Sequence, residues 1–595
     1  MAPISPTDIA WNPETTQPAT CPACAHEAVL RPTLATVHMS DRTPIRFFSC
    51  PSCGSLFADP PDITDFGDLI HAGVDLYRSY VEVVGGLWEM YWPIGTIETG
   101  KDAPNLLDVG CGFGFTVDLW RSQRGEALGV EVSGYGRKGS EILQVPIRFD
   151  YLENMPDIAH GSFDIVYASE VIEHVPDPTG FAALLGRYVS SGGVLALTTP
   201  NAAYIREGND PATVLASLSP GFHGFLLHAE ALRNILIQAG FAHAVVEEHG
   251  SRLIAYASSR PIAKRAHDLA RSEYLRYLEQ RADTLPPGTP TANGVLYRLI
   301  RDLANAGRWQ DALRWSQRLD RDLEATFGPG AVHPTPCLAQ LNDWHDAGSF
   351  SELHPFFLPN YFYLKGNIHR ISLGQVDAST AHYEAACTLT LAMLERIGFA
   401  YCIEAGSLFW VMRLLHACGC LQAGAVQPSV ALITAVGNSL NDRPTAELGY
   451  KKFSTGEVYT VFEEIGGALA LRKDPALARV LADALHPYVA ARLGLNADDD
   501  QAKAGLNVPT RFFDCNLAAF HGRLLGEARP DSGQAVRLLA AALEASALIA
   551  REPGDDRIFQ AFRHRTETAL RGLAAAAPKA QAISAPGMGS PWPFF

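Results

Sequence analysis

Three glycines at alternate positions, Gly110, Gly112 and Gly114, follow the acidic residue Asp108 at the end of an apolar run that begins after Asn105. Lacking Cβ atoms, a main chain can turn tightly there and come close to a ligand. Further on, EALGVEVS carries a second apolar run to Glu131, whose carboxylate has lone pairs enough to accept from both hydroxyls of a ribose. QVPIRFDY then ends in Asp150 and Tyr151, a carboxylate able to accept from an adenine amino group and a ring able to lie beside the base. The set suits a nucleoside without phosphate. A dinucleotide-binding G-x-G-x-x-G places its third glycine one residue later than Gly114, and no Lys-Ser/Thr pair of a P-loop follows.

Two histidines extend the chemistry. His174, in Glu173-His174-Val175, and His223, in Gly221-Phe222-His223, titrate near neutral pH and are candidates for acid/base work or for orienting an acceptor. His228 reads as a helix-start residue. Asn201 and Tyr204 lie near the acceptor in the same reading, with stabilisation of the turn after Pro200 as the alternative for Asn201. Separately, CPAC at Cys21 to Cys24 and CPSC at Cys50 to Cys53 place two pairs of thiols on tight turns. Together they supply the four soft ligands of a tetrahedral structural Zn2+, free buried thiols being the alternative.

The elements that must carry these groups alternate between strand and helix. After the strands ending at Asp108, Glu131 and Asp150, SFDIVYASEVIEHVPDP reads as a fourth strand and its loop, FAALLGRYV as a helix, and VLALTTPN as a fifth strand. This succession, with VIEHVPDP followed by SGGVLALTTPN, resembles the class I S-adenosylmethionine-dependent methyltransferases, above all their small-molecule and sugar-modifying subgroup. The resemblance covers about residues 105–257. It implies that Asp108 and the loop Gly110, Cys111, Gly112 and Gly114 hold the methionine end, Glu131 the ribose, Asp150 and Tyr151 the adenine, and Ser169 and Glu170 the neighbouring loop. SCPSCGSLFADPP is similar to the zinc-ribbon ending in front of many such enzymes, although Ala25 and His26 stand where those ribbons often have glycine. S-adenosylmethionine and a structural zinc are therefore the expected cofactors, and an oxygen or carbon of a sugar, nucleotide-sugar or surface glycan the expected acceptor. A protein or another small molecule as acceptor, and an interaction scaffold with a vestigial central domain, are the alternatives.

At 595 residues the chain exceeds the roughly 250–300 residues at which one core stops growing. The expected fold class is multidomain α/β: a small zinc ribbon, a Rossmann-like methyltransferase domain and an all-α repeat-like domain. The expected division is a disordered N-terminus at 1–17, a ribbon at 18–62, a helical connector at 63–100, the methyltransferase domain at 101–258, a helix and linker at 259–290, α-helical repeats at 291–575 and a disordered tail at 576–595. In the connector, the stripe that includes Tyr77, Tyr80 and Tyr91 reads first as packing and second as pocket lining. LYRLIRDLANAGRWQDALRWSQRL, with Gly307 at its turn and Ala312 beyond, resembles a degenerate tetratricopeptide helix pair, and the stretch with Gly366 and Ala378 repeats the idea. Such stacks bind protein partners or stabilise dimers. A net charge of −16 disfavours nucleic acid as a partner. No apolar run approaches the ~20 residues of a membrane-spanning helix, and the first residues lack the pattern of a secretory signal, so a cytoplasmic location is expected.

Overall fold

The computed structural model describes residues 8–38, 42–59, 74–207, 209, 211–398, 401–439, 475–493, 512–528, 533–547 and 556–576. Compactness divides the chain into two units, the first comprising residues 1–409 and 443–452, the second residues 410–442 and 453–595. The tail expected to be disordered at 576–595 lies, after Ala576, outside the described residues.

The first unit opens with strands β1 (Ala10–Trp11), β2 (Gln17–Thr20), β3 (Glu27–Leu30), β4 (Leu34–Val37), β5 (Pro44–Ser49) and β6 (Leu56–Asp59). β2 and β3 form a hairpin around the first cysteine pair. β1 pairs with β4, Ala10 opposite Ala35, so order begins earlier than the sequence reading of 1–17 allowed. The gain is cover for an apolar face: Trp11 packs on a small core containing Leu34, Phe47 and Leu56. The connector contains α1 (Val74–Ser79), a π-helical turn at Tyr80–Val84, α2 (Trp88–Gly95) and the short strand β7 (Ile97–Glu98).

A seven-stranded sheet follows. Its strands are β8 (Leu106–Val109), β9 (Ala127–Val130), β10 (Ile147–Arg148), β11 (Phe163–Ser169), β12 (Val189–Pro200), β14 (His243–His249) and β15 (Arg252–Ser258), in the order β10-β9-β8-β11-β12-β15-β14. β8, β9, β10, β11 and β12 run parallel, while β15 is antiparallel to both neighbours. Central strands of a parallel sheet are covered on both faces. The sequences agree, since every residue of β8 and Asp164–Ala168 of β11 are buried. Helices α3 (Phe115–Gln123), α4 (Gly134–Leu143), α5 (Pro178–Gly186), α6 (Pro211–Leu218) and α7 (Ala229–Gln238) connect the strands. α5 starts where VPDP dictates: the Asp177 carboxylate accepts from Gly180 N at 2.9 Å and Pro178 fills the first helical position. Strand order reverses at β8, with β9 on one side and β11 on the other, which is where α/β sheets open a crevice at their carboxyl edge.

Strand β13 (Phe225–Leu226) leaves this sheet and pairs with β6 of the ribbon, Phe225 opposite Phe57. Cys21, Phe48, Cys50 and Phe57 consequently share one buried cluster with Val109, Val166, Phe225 and Leu227. Ribbon and sheet, distinct in the sequence, are one packed body.

The same holds further along. After β16 (Ala263–Lys264) come α8 (His267–Thr284) and α9 (Pro290–Asn305). α8 lies on the sheet domain: Tyr277 donates to Asp118 of α3 at 2.8 Å, Arg281 pairs with the same carboxylate, Tyr91 of α2 donates to Glu273 at 2.8 Å, and Tyr274 donates to the Gly86 carbonyl at 2.9 Å. A buried carboxylate such as Asp118 needs these partners to offset its lost hydration. The proline-bearing stretch at Pro286, expected as a linker, is a tight turn. Thr289 caps α9, accepting from Ala292 N at 3.3 Å, and Pro290 opens the helix.

α10 (Trp309–Phe327), α11 (Pro334–Ala339), α12 (Ala347–Leu353), α13 (Leu358–Ile368) and α14 (Val376–Arg396) complete the unit, followed by α15 (Ile403–Gln422). α9 and α10 form the expected pair with Gly307 at the turn. In the next pair, α13 and α14, the turn falls at Gly374 rather than Gly366. Gly366 lies inside α13, where a Cβ would come within 2.5 Å of the Tyr383 ring. In the second unit α16 (Val426–Ser439), α17 (Pro475–Leu493), α18 (Phe512–Ala528), α19 (Gly533–Ser546) and α20 (Asp556–Ala576) pack in succession. Among the described residues no helix is long and apolar enough to cross a membrane.

Candidate cofactor and acceptor site

The carboxyl edge of β8, β9 and β11 opens on a cavity of about 830 Å³, within the usual range for a small-molecule site. Gly110, Gly112, Glu131, Asp150, Tyr151, Glu170 and His174 line it, as the sequence reading anticipated. The glycine loop is held open by geometry. Gly110, Gly112 and Gly114 have φ of 74°, 56° and 85°, and a Cβ on Gly112 would lie 2.7 Å from the Tyr80 hydroxyl. Glu131 fastens the loop, one carboxylate oxygen accepting from Gly112 N and the other from Ser133 N, both at 2.8 Å. Asp150 accepts from Tyr151 N at 2.7 Å and Asn154 Nδ2 at 2.9 Å, bonds that hold its carboxyl below the usual range, while the Tyr151 ring is about half exposed at the cavity mouth.

The other anticipated residues stand back from the cavity. Asp108 is buried at the end of β8; burial, and then the neighbouring Glu131 carboxylate, push it up to about 8. The Cys111 side chain turns away, its sulfur packing against Gly129, and its N–H donates to the Val130 carbonyl at 3.2 Å. Gly114 caps α3. Ser169 shares a hydrogen bond with Thr198 at 2.8 Å, and Thr198 donates to Glu170 at the same distance.

His174 and His223 do come together, edge to face with ring centroids 4.7 Å apart. His174 meets the cavity and His223 lies behind it. Their Nδ1 atoms lie 2.8 and 2.7 Å from the carbonyls of Phe222 and Ser217; a carbonyl only accepts, so both Nδ1 atoms carry the hydrogen and both Nε2 atoms the lone pair. Burial lowers both histidines, His223 to about 3 with His174 as the second cause. His228 caps α7, accepting from Glu230 N at 3.4 Å, and Asn201 accepts from Ala203 N at 3.0 Å in the turn after β12.

Of the connector tyrosines, read first as packing and second as pocket lining, one lines the cavity. Tyr80 reaches the cavity from the π-helical turn, its ring 5.1 Å from Tyr135 of α4, whereas Tyr77 packs on Phe113 and Tyr91 bonds Glu273. A helical stripe shows which residues are apolar on one side; the extra residue of a π turn, which rotates Tyr80 toward the loop, leaves no such mark. Asp177, Phe181 and Arg187 line the far wall. Glu131, Asp150, Glu153, Glu170 and Asp177 thus stand against Arg187 alone among fixed cations in the lining. On the cofactor side that balance favours a cationic ligand such as a sulfonium.

The family model described as a methyltransferase domain matches residues 94–247, which places an S-adenosylmethionine-dependent methyltransferase domain on this sheet and cavity. A ubiquinone biosynthesis O-methyltransferase of Psychrobacter arcticus is 29% identical over 160 residues, 24% of this chain and 62% of the relative. A probable S-adenosylmethionine-dependent methyltransferase of Mycobacterium tuberculosis is 29% identical over 155 residues, 25% of this chain and 54% of the relative. The chain therefore spans about three fifths of the length of the first of these relatives and about half of the second. Among solved structures, a SAM-dependent methyltransferase of Archaeoglobus fulgidus is 17% identical, covering 28% of this chain and 87% of its own, with a TM-score of 0.23.

Asp108 gives the site a pH signature. A cation in the cavity, behind whose glycine loop Asp108 is buried, favours its charged form, so cofactor affinity should rise with pH, by at most about tenfold per unit, and level off above about 8. Glu131, Cys111 and Tyr167 are the titratable groups coupled to it. Calorimetric titration with S-adenosylmethionine between pH 6 and 9 checks this, and Asp108→Asn should flatten the profile.

Proposed function

We propose that the protein is an enzyme that transfers the methyl group of S-adenosylmethionine to an oxygen of a small hydroxylated acceptor. The observation that carries this is the cavity itself: a glycine loop, a ribose-ready Glu131 and an acidic wall, with no group arranged for phosphate. When bound, the cofactor supplies a methyl group made electrophilic by its cationic sulfur, so the protein must chiefly align a nucleophile with it. Glu131 would accept from the ribose hydroxyls, Asp150 and Tyr151 would receive the adenine, and the glycine loop, with Asp108 buried behind it, would face the methionine end. His174 is the histidine that meets an acceptor; its Nε2 lone pair can take a proton or hold a cation.

A sugar, nucleotide-sugar or glycan is the acceptor class we favour, on the likeness of the ribbon and the VIEHVPDP core to sugar-modifying enzymes. An aromatic hydroxyl is the second reading, because curated relatives are named ubiquinone biosynthesis O-methyltransferases. The helical half is proposed as a surface for a protein partner, and a cytoplasmic setting is proposed with it. Radiolabelled methyl transfer to a panel of nucleotide-sugars and polyhydroxylated aromatics decides between the acceptors; label in neither panel, or only in protein, contradicts both. With the acceptor found, His174→Ala should slow transfer by about a hundredfold or more while leaving binding of S-adenosylhomocysteine within about twofold.

The four-cysteine cluster is proposed as a structural zinc site. Cys21 and Cys53 sulfurs are 3.7 Å apart and those of Cys24 and Cys50 3.6 Å, close to the ~3.8 Å edge of a tetrahedron with Zn–S of about 2.3 Å. Cys21 with Cys24 and Cys50 with Cys53 sit on two turns of the same kind, Ala25 N donating to Cys21 O at 2.8 Å and Gly54 N to Cys50 O at 2.9 Å. Ala25 adopts φ 57° where Gly54 has 74°, so the turn forms without the glycine the sequence lacks. Elemental analysis should find one zinc per chain that Cys24→Ser removes; wild-type protein without zinc after purification in its presence contradicts the assignment.

A further inference from the structure

Glu173 is buried completely on the loop after β11, although the acceptor chemistry above makes no use of it. One of its carboxylate oxygens accepts from Thr199 Oγ1 at 2.9 Å, and its main-chain carbonyl accepts from Gly224 N at 3.1 Å. The other oxygen, Oε1, has no hydrogen-bond partner and lies 4.0 Å from His223 Nε2. A buried carboxylate oxygen left in this way is costly. Beside it are His174 and His223, each with Nδ1 committed to a backbone carbonyl. One ligand atom from each of the three residues can be chosen so that all lie within 4.8 Å of one another.

Lone pairs converging around a buried carboxyl repel unless a proton or a metal cation lies among them, and three such donors in one place suit the cation. Fixing Nδ1–H on a carbonyl is also the support that metal-bound histidines receive, since it sets the tautomer and aims Nε2. Ligands about 2.0–2.2 Å from an ion stand roughly 3–3.5 Å apart, so a modest closure of this cluster completes the set. We propose that Glu173, His174 and His223 bind a divalent transition-metal ion on the wall of the cavity, through Glu173 Oε1 and the two Nε2 atoms.

Two imidazoles and one carboxylate leave coordination positions open, unlike four thiolates. The site borders the cavity through His174, so an acceptor hydroxyl can enter an open position. This role rests on the methyl-transfer reading, whereas the site itself does not. The bound ion lowers the hydroxyl pKa and its proton passes to bulk water. The oxygen–methyl bond then forms as the carbon–sulfur bond breaks, its electron pair remaining on sulfur. His174 is then a ligand rather than a base, and Glu173 and His223 become as necessary as His174.

Manganese is the probe, because Mn2+ takes oxygen and imidazole donors and leaves thiolates to softer ions. Full-length protein stripped with EDTA is titrated with MnCl2 while the six-line electron paramagnetic resonance signal of free Mn2+ is followed. One ion per chain should bind, Glu173→Gln and His223→Gln should each weaken it at least tenfold, and Glu141→Gln, on the exposed face of α4, should bind as wild type does. His174→Gln supplies a third ligand variant, and circular dichroism confirms that each is folded. Wild-type protein that leaves the free signal undiminished, or folded ligand variants that bind as wild type does, overturn the proposal. Binding of S-adenosylhomocysteine is measured on the same samples: its loss with Mn2+ binding intact contradicts the methyl-transfer reading alone, and the reverse contradicts the metal site alone.

Discussion

The Glu131 carboxylate ties the glycine loop to the start of α4, beside main-chain bonds that Gly110 N and Cys111 N donate to the Val130 carbonyl at 2.8 and 3.2 Å. One oxygen holds Gly112 N of the loop after β8 and the other holds Ser133 N at the start of α4. Charge-assisted bonds of this kind are the stronger ones, and they fix the glycine loop in left-handed backbone that few residues tolerate. The cavity lies over this pinned loop, with Gly110, Gly112 and Glu131 in its lining. Each oxygen keeps lone-pair capacity beyond its backbone bond, so the group that shapes the site is also the group suited to the ribose.

A second constraint acts from the opposite side. β13 pairs with the last ribbon strand, and the segment just before it carries His223 to His174 and Glu173. Ser55 Oγ, two residues beyond the second cysteine pair, accepts from His228 N at 3.3 Å, and Ala58 N donates to the Gly224 carbonyl at 2.9 Å. The cysteine cluster therefore acts at a distance: it orders a small hairpin assembly whose edge strand positions the acceptor loop. The helices after the sheet do similar work on the connector. Arg298 of α9 donates to the Val81 carbonyl at 2.9 Å and lies 5.0 Å over the Phe115 ring, bracing the π turn that brings Tyr80 to the cofactor side.

Local chemistry was legible in the sequence, and tertiary sharing was not. The strands β8 and β9 announced themselves because buried parallel strands are apolar runs with a polar residue where they emerge, whereas the edge strand β10 is only Ile147–Arg148 and stops short of Asp150. VPDP gave the start of α5, and paired cysteines gave the ribbon turns. The ribbon's fusion with the sheet could not be read, because β13 is two residues long and its partner is remote in sequence. Pro286 looked like a linker because proline and glycine mark every turn alike, whether between domains or between two packed helices. Glu173 drew no reading beside His174, for its burial depends on Thr199 and Gly224, residues far along the chain. Asp108, Cys111, Gly114 and Ser169 belong to the motif yet face away from the cavity, so a motif marks the backbone path more reliably than the side chains that touch a ligand.

The account stands or falls on what occupies the cavity at the carboxyl edge of β8. The most direct measurement is a crystal structure of the full-length protein grown with S-adenosylhomocysteine. The account predicts density along the Gly110–Gly114 loop, with the ribose hydroxyls on Glu131, the adenine beside Tyr151 and the sulfur turned toward His174. Density for the ligand at any other place, or a cavity that stays free of it at saturating concentration, would contradict the assignment of this sheet edge as the cofactor site.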